Sequence, residues 1–414
     1  MKSALIAPER ALELVLERAK PLEAERVALA EALGRVLAED LVAPADVPPF
    51  PNSAMDGFAV RAADTRGASE ESPAVLAVAG ESRAGVPAER GPGPGEAIRI
   101  STGAMLPEGA DAVVRLEDTA EQDGRLEVRV EVGAGKEIRH AGDDLSAGDH
   151  VLERGRRLGA AELGVAASVG SRELLCTRRA GVAVLGTGDE LVPPGEPLRP
   201  GQIHDTNAYS VPAQVTQAGG LAVAIGTAPD DYDATVRAIE GALAADVVLV
   251  MGGMSVGPHD HAKRALEALG VEQVFWGVAL RPGKPTWFGT FCRPGASARG
   301  SSSPVLVFGL PGNPVSAMVT FHLFVRPALA KLAGAAPVDR RASAIFDEDY
   351  AKRPGRAHVV RCRLEQRDDG WHVRPTKTQG SHVLTSMLDA QALAYLEVDR
   401  GDVRAGERVE IEIL

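Results

Sequence analysis

The sequence predicts a multidomain α/β-plus-β protein organised around one doubly wound α/β unit, and three observations carry that expectation. First, 414 residues exceed what one ordinary hydrophobic core holds, so two to four domains are expected. Second, from Gly181 short apolar runs alternate with helix-length stretches, as parallel β/α units require. Third, the last part of the chain, like residues 52–140, reads as short strands between turns.

Composition narrows the possibilities. Hydrophobic residues make up 45% and charged residues 25%, ordinary for a soluble globular chain, while 45 Gly and 28 Pro imply many turns. A formal net charge of −12 argues against a general nucleic-acid or anionic-membrane binder. It leaves room for a small anion, because charges beyond about 10 Å are largely screened and local Lys and Arg decide. Cys176, Cys292 and Cys362 lie far apart with no CxxC spacing, which suits a reducing compartment and supplies no thiolate metal site. The N-terminal apolar spacing is broken by Glu9, Arg10 and Glu13, unlike a signal peptide. No uncharged apolar run approaches 18 residues, so no membrane span and a cytoplasmic location are expected.

Along the chain, residues 8–40 read as helical: Ala11, Leu12, Val15 and Leu16 sit at helix spacing, and Pro21 ends the first segment. A second helix is expected over Leu29–Leu37, with Gly34 inside it. Pro44, Pro48, Pro49 and Pro51 mark a boundary, after which Ala74–Val78, Glu96–Ile100, Ala112–Arg115 and Leu126–Val130 read as strands. Residues 141–178 contain a helix candidate at Ala160–Ser168 and are expected to pack back on the N-terminal helices. The parallel-strand candidates are Val182–Leu185, Leu221–Ile225, Val247–Met251 and Val305–Phe308, all read as buried. Helix candidates between them are Asn207–Gln217, Tyr232–Leu243 and His261–Leu269, and Pro314 suits the first turn of another. Val359–Leu364, His372–Arg374, Ala392–Val398 and Val409–Leu414 suggest a small terminal β domain.

Gly- and Pro-rich, acid-bearing turns follow three of the apolar runs: Gly186 to Glu190, Gly252 to Asp260, and Gly309 to Pro314. Ligands of parallel α/β sheets bind outside the carboxyl ends of the strands, so the three turns are expected to share one crevice for an anionic ligand. Gly252-Gly253-Met254-Ser255-Val256-Gly257 permits positive φ and close backbone approach to phosphate, yet reads equally as a plain β-to-α turn. Asp260, Asp230 and Asp231 are each placed as helix caps or, with Glu190, as carboxylates holding Mg²⁺ beside a phosphate. Leu191 stands where a dinucleotide fingerprint needs glycine. His259 and His261 flank Asp260, but a zinc site there lacks a clear third ligand. Arg281-Pro282-Gly283-Lys284-Pro285 sets two cations on a rigid turn, either a solvated basic turn or an oxyanion site.

Together these segments resemble the molybdopterin molybdenumtransferase family, the molybdenum-insertion enzymes related to the gephyrin E domain. The matching segments are Pro51–Val60 (PNSAMDGFAV), Ser101–Ala104, Gly142–Asp144, Gly188–Leu191, Gly252–Asp260, Pro282–Pro285 and Gly309–Pro314, in the family's order over roughly residues 10–400. The resemblance implies an elongated helical domain from residues 1–48 and 141–178, an inserted β-rich domain over 49–140, a molybdopterin-binding α/β domain over 179–330 and a C-terminal β-barrel over 331–414. It implies a homodimer whose site lies between the α/β domain of one subunit and the second domain of its partner. The implied substrates are adenylylated molybdopterin and molybdate, and the products are molybdenum cofactor and AMP, with a molybdopterin adenylyltransferase as upstream donor.

On this resemblance Asp260, Glu190, Lys284 and Asp56 are the catalytic candidates, and Glu190, Asp230 and Asp260 the candidates for Mg²⁺. Gly252, Gly253, Ser255 and Gly257 would cradle phosphate. Arg281, Lys284, Pro285, Arg356 and Ser381 would form the molybdate pocket, with Pro311 and Pro314 beside it. Thr102, Arg139 and Asp144 would act with Asp56 from the second-domain side. The chain departs from the family pattern at Arg281, where a lysine is usual, at Gly186-Thr187, where Ser-Thr is frequent, and at His140-Ala141, which makes that loop less basic. Two other readings are a non-catalytic scaffold, as the animal relative also serves, and an adenylyltransferase, against which the flanking domains argue.

Overall fold

Four parallel strands form the centre of the molecule. The computed structural model describes residues 5–254, 261–293, 303–335, 340–376 and 378–414. It orders Leu221–Ala228, Gly181–Thr187, Val247–Met251 and Val305–Leu310 side by side, all parallel. Val247–Met251 and Val305–Leu310 are buried at every residue because helices cover both faces, hence their unbroken apolar sequence. Alternation sends Val247, Leu249 and Met251 into one core with Val211 and Val215 of helix Asn207–Gln217. Val248 and Val250 enter the other, with Ile239 of Tyr232–Ala242 and Leu266 of His261–Ala268. Trp287–Phe291 and Glu272–Trp276 add two antiparallel strands that the sequence reading did not anticipate.

The opposite edge departs from expectation. Leu221–Ala228 is a strand, but it is not buried: Leu221, Val223 and Ile225 are each 53% exposed. It lies at the sheet margin with a strand neighbour on one side only, and although Ala222 packs on the core, the large apolar side chains Leu221, Val223 and Ile225 stay uncovered.

The N-terminal helix Pro8–Arg18 starts with proline in its first turn and sends Ala11 and Val15 into the core with Phe324, Leu329 and Leu332. The expected helix over Leu29–Leu37 is absent. Leu29–Glu31 makes one 3-10 turn, and Val36–Leu37 is a strand paired with Glu173–Thr177, which also pairs with Ala24–Ala28. Gly34, at a φ of +74°, interrupts helical geometry, and the strand partner satisfies the backbone instead. Residues 141–178 do return to the N-terminal segment, through strands: Leu174 and Cys176 pack with Val27, Leu37 and Ala166 of helix Ala160–Ser168.

The inserted region is a six-stranded sheet in the order Ala112–Arg115, Gly57–Val60, Glu96–Ile100, Ala74–Ser82, Arg125–Val128, Thr119–Gln122. Phe58, Val60, Leu76, Val114 and Leu126 form its core. At the C-terminus, Ala357–Arg367 pairs with both Gly370–Pro375 and Ala392–Leu396. Arg341–Phe346 and Arg408–Ile413 complete a closed barrel around Phe346, Val360, Cys362 and Ile411. A short parallel pairing of Leu280–Arg281 with Ala357 and His358 ties the barrel to the α/β domain. The 19-residue helical stretch Pro314–Leu332 is long and apolar enough to cross a membrane, but it is 67% buried inside the protein, and its Arg326 reaches Glu412 of the barrel.

Candidate anion site at the domain junction

The three turns expected to share a crevice converge. Gly252 and Gly253 have φ of +85° and +61°, and a Cβ on Gly252 would lie 2.9 Å from Thr187 Oγ1. Gly252 N–H donates to Leu310 O at 3.2 Å, and a Cβ on Gly312 would lie 3.7 Å from Gly252 Cα. Glycine is needed here for close backbone approach, but the Gly252 N–H is already committed to the neighbouring strand, so it is not a free donor for phosphate. Ser255, Gly257 and Asp260 lie outside the described residues, as do His259 and the rest of that turn.

Glu190 is exposed, with its carboxylate folded over Gly188 so that a side chain at 188 would strike it. Asp230 is also exposed, and its N–H donates to Asp189 Oδ1 at 3.0 Å. Asp231, not Asp230, caps the helix Tyr232–Ala242, accepting from Ala234 N at 2.8 Å. Among the described residues no three His, Cys, Asp or Glu side chains cluster as a metal cage. Magnesium beside phosphate asks less, taking one or two carboxylates and filling its remaining positions with water and phosphate oxygens, so exposed Glu190 and Asp230 fit that donor set.

The cationic turn sits where the α/β domain meets the barrel. Pro282 and Gly283 are buried and Gly283 packs against Leu280 and Thr320, while Arg281 and Lys284 are exposed; Pro285 is half-buried. Val278 N–H donates to Lys284 O at 2.9 Å and Thr286 Oγ1 donates to Gly283 O at 2.7 Å, fixing the turn. Arg281 lies opposite His358 in the pairing between the domains, and Arg356 immediately precedes that strand. Burial, followed by the charges of Arg281, Lys352 and Arg356, pushes the His358 imidazole down to about 4. Three cations from two domains therefore surround a neutral histidine. Arg281, Lys284 and Arg356 form no ion pair among the described residues.

Ser381 completes this side. Asn313 Nδ2 donates to Ser381 Oγ at 3.2 Å and Val315 N–H donates to Ser381 O at 3.3 Å, so the Pro311–Pro314 turn meets the barrel loop directly. Pro311 is buried, and Pro314 opens the helix Pro314–Thr320 in its first turn.

A second cluster stands on the inserted domain. Asp56 accepts from Thr102 N at 2.7 Å and Thr102 Oγ1 at 3.0 Å, which hold its carboxyl below the usual range. Arg139 pairs with Asn52 in a short strand beside the same loop and is exposed. Asp144 is exposed where its N–H donates to Val47 O. Among the described residues no hydrogen bond or ion pair joins residues 49–140 to the α/β domain.

Sequence reasoning missed Asp205 and Asn207. Asp205 is 5% exposed and accepts from Thr227 Oγ1 and Ala208 N behind Gly186. Asn207 Nδ2 donates to Gly312 O at 2.7 Å, while its buried Oδ1 has no partner. The signal was an Asp-x-Asn pair spanning the start of a helix, with Asn207 as its first residue. A cavity of about 480 Å³ between the N-terminal helix, the Pro314–Leu332 stretch and the barrel is lined by none of the candidate residues.

Comparison with known proteins agrees with this architecture. Residues 6–170 match the family described as "MoeA N-terminal region (domain I and II)", residues 183–331 the "Probable molybdopterin binding domain", and residues 343–414 the "MoeA C-terminal region (domain IV)". The molybdopterin molybdenumtransferase of Haemophilus influenzae is 39% identical over 402 residues, covering 95% of this chain and 94% of its own. That of Bacillus subtilis is 33% identical, covering 99% and 94%. The crystal structure of the molybdopterin biosynthesis MoeA protein from Pyrococcus horikosii superposes with a TM-score of 0.80 at 34% identity, over 99% of each chain. The chain belongs to the molybdopterin molybdenumtransferase family, enzymes of molybdenum cofactor biosynthesis.

Proposed function

We propose that the protein inserts molybdenum into adenylylated molybdopterin, taking molybdate as its second substrate and releasing AMP. The observation that carries this reading is the gathering of Arg281, Lys284 and Arg356 at the junction of two domains, with no carboxylate paired to those cations among the described residues and with Ser381 of the barrel held against the neighbouring Pro311–Pro314 turn. Such a pocket suits a small dianion. The adjoining turns at Thr187, Gly253 and Gly312 suit a larger phosphate-bearing ligand by allowing close backbone approach.

In this reading Arg281 and Lys284 hold the oxyanion and the buried Pro-Gly core of their turn keeps the two cations in place, so little entropy is lost on binding. The planar fork of Arg281 binds an oxyanion as the usual lysine would, though in a different geometry. Arg356 and Ser381 close the pocket from the barrel. Glu190, Asp230 and Asp260 would hold Mg²⁺ with the pyrophosphate; when bound, the ion neutralises phosphate charge and polarises the phosphoanhydride. Cations fixed before the reaction stabilise the charge that develops as AMP departs and the dithiolene takes up the oxyanion. None of the cysteines is required as a nucleophile: Cys176 and Cys362 are buried, and burial pushes the Cys362 thiol up to about 12.

We assign Asp56, Thr102, Arg139 and Asp144 to the partner subunit's crevice in a homodimer. The lack of any hydrogen bond or ion pair between the two clusters among the described residues supports this, as do the uncovered side chains of Leu221, Val223 and Ile225 and the exposed Phe50, Met55 and Met105 around the Asp56 loop. A molybdopterin adenylyltransferase would supply the adenylylated substrate, and the three free cysteines suit a cytoplasmic setting. The decisive experiment incubates the purified protein with adenylylated molybdopterin, with and without molybdate, and measures AMP. Molybdate-dependent AMP release is expected; ATP consumption without it would favour the adenylyltransferase reading, and neither activity would favour a scaffold.

A further inference from the structure

Arg361 carries a full charge in a place where no counter-ion meets it. It is 0% exposed, forms no ion pair among the described residues, and its Nη1 has no hydrogen-bond partner. Its remaining bonds go to neutral groups of one irregular segment: Nε donates to Ser386 Oγ at 2.9 Å, and Nη2 donates to Thr378 O at 3.1 Å and Gly380 O at 3.3 Å. The backbone of the same residue is clasped by Gln379, whose Oε1 accepts from Arg361 N and whose Nε2 donates to Arg361 O, both at 3.0 Å. A buried guanidinium without a carboxylate is expensive, and an apolar residue would serve barrel packing better. What an apolar residue could not do is satisfy the inward-facing carbonyls of a segment that has no strand partner.

That segment carries Ser381, and it is gripped from the other side by Asn313 and by Val315 N. The Asn313 amide donates to Ser381 Oγ, so the hydroxyl proton is left to donate elsewhere, to an acceptor such as an oxyanion oxygen. The strand bearing Arg361 also pairs, three residues earlier, with Arg281. One strand thus sets both the cationic turn and the serine.

We propose that Arg361 is a positioning residue for the oxyanion pocket, its buried fork holding residues 378–386 so that Ser381 presents its hydroxyl beside Arg281 and Arg356. The inference rests on the reading of that pocket as the molybdate site, and its test separates the two. Full-length wild type, Arg361→Lys and Ser386→Ala are titrated with molybdate and separately with AMP by calorimetry, and amide hydrogen exchange is followed across residues 378–386. Lysine keeps the charge but not the fork. Arg361→Lys is expected to bind molybdate about tenfold more weakly, the scale of one charge-assisted hydrogen bond. Its AMP affinity should remain within about twofold and its 378–386 amides should exchange faster, with Ser386→Ala moving the same way by less. Should Arg361→Lys not fold, Ser386→Ala and Gln379→Ala are judged by the same measurements. Unchanged molybdate affinity and unchanged exchange in the folded variants would overturn the proposal, as would equal loss of both ligands. A wild type that binds no molybdate overturns the pocket assignment instead, while the exchange data still decide whether Arg361 orders the segment.

Discussion

Arg281 and His358 lie opposite each other in the two-residue parallel pairing that joins the α/β domain to the barrel. The histidine is 5% exposed and, through burial and the cations around it, titrates near 4 in the folded protein.

That depression predicts an acid-sensitive junction. The unfolded chain protonates His358 near its ordinary value of 6.5, whereas the folded chain keeps it neutral until about 4. Between those values the unfolded state binds more protons, so stability falls as pH drops from 6.5 to 4 and this contribution is flat below. The full loss is about 3 kcal/mol. Urea unfolding from pH 7 to 4 should show this slope in wild type and a shallower one in His358→Gln; parallel slopes would remove His358 from the account.

Lys284→Ala is expected to weaken molybdate use about tenfold while leaving nucleotide binding within about twofold. The exposed lysine stands on the cationic turn, whereas the backbone turns at Gly253 and Gly312 are the proposed contacts of the nucleotide-bearing ligand. Separate titrations with molybdate and AMP check the division, which equal losses would defeat.

Gly283→Ala tests turn geometry with both cations retained. Gly283 has a φ of +116°, and a Cβ there would lie 2.5 Å from Thr320 Cγ2 and 2.9 Å from Leu280 Cδ2. The expected cost is about 1–3 kcal/mol in stability, seen as a lower Tm, together with weaker molybdate binding despite an unchanged net charge. Normal molybdate affinity in the variant would show that charge alone, without the turn's shape, suffices.

Asp56→Ala and Glu190→Ala should each be inactive alone yet complement each other. If Asp56 serves the partner's crevice, a mixed dimer keeps one intact site of two, and random exchange makes about half the dimers mixed. Activity should therefore return to about one quarter of wild type. Confirmed subunit exchange with no recovered AMP release would place Asp56 outside the active site.

The candidate site was legible in the sequence wherever a residue's role is local. Gly252 and Gly253 announce positive φ, Pro314 announces a helix start, and Arg281 to Pro285 announces a rigid cationic turn; each needs only its own neighbours to be read. Asp231 and Asp230 were not separable, because which of two adjacent carboxylates caps a helix depends on where the first turn begins. Asp205 and Asn207 were missed because their partners, Thr227 and Gly312, are distant in sequence.

By itself the sequence determined the α/β alternation, the strands Val247–Met251, Glu96–Ile100 and Ala112–Arg115, the helix Asn207–Gln217 and the family, because hydrophobic period and turn chemistry are local codes. Tertiary structure decided the rest. It turned Val36–Leu37 from expected helix into strand by offering Glu173–Thr177 as a partner. It left Leu221, Val223 and Ile225 uncovered by setting their strand at the sheet edge, it brought Arg281 and Arg356 to either side of His358 across two domains, and it set Ser381 against Asn313. Burial and pairing depend on what packs alongside a segment, and an apolar run reads the same whether or not a neighbour covers it.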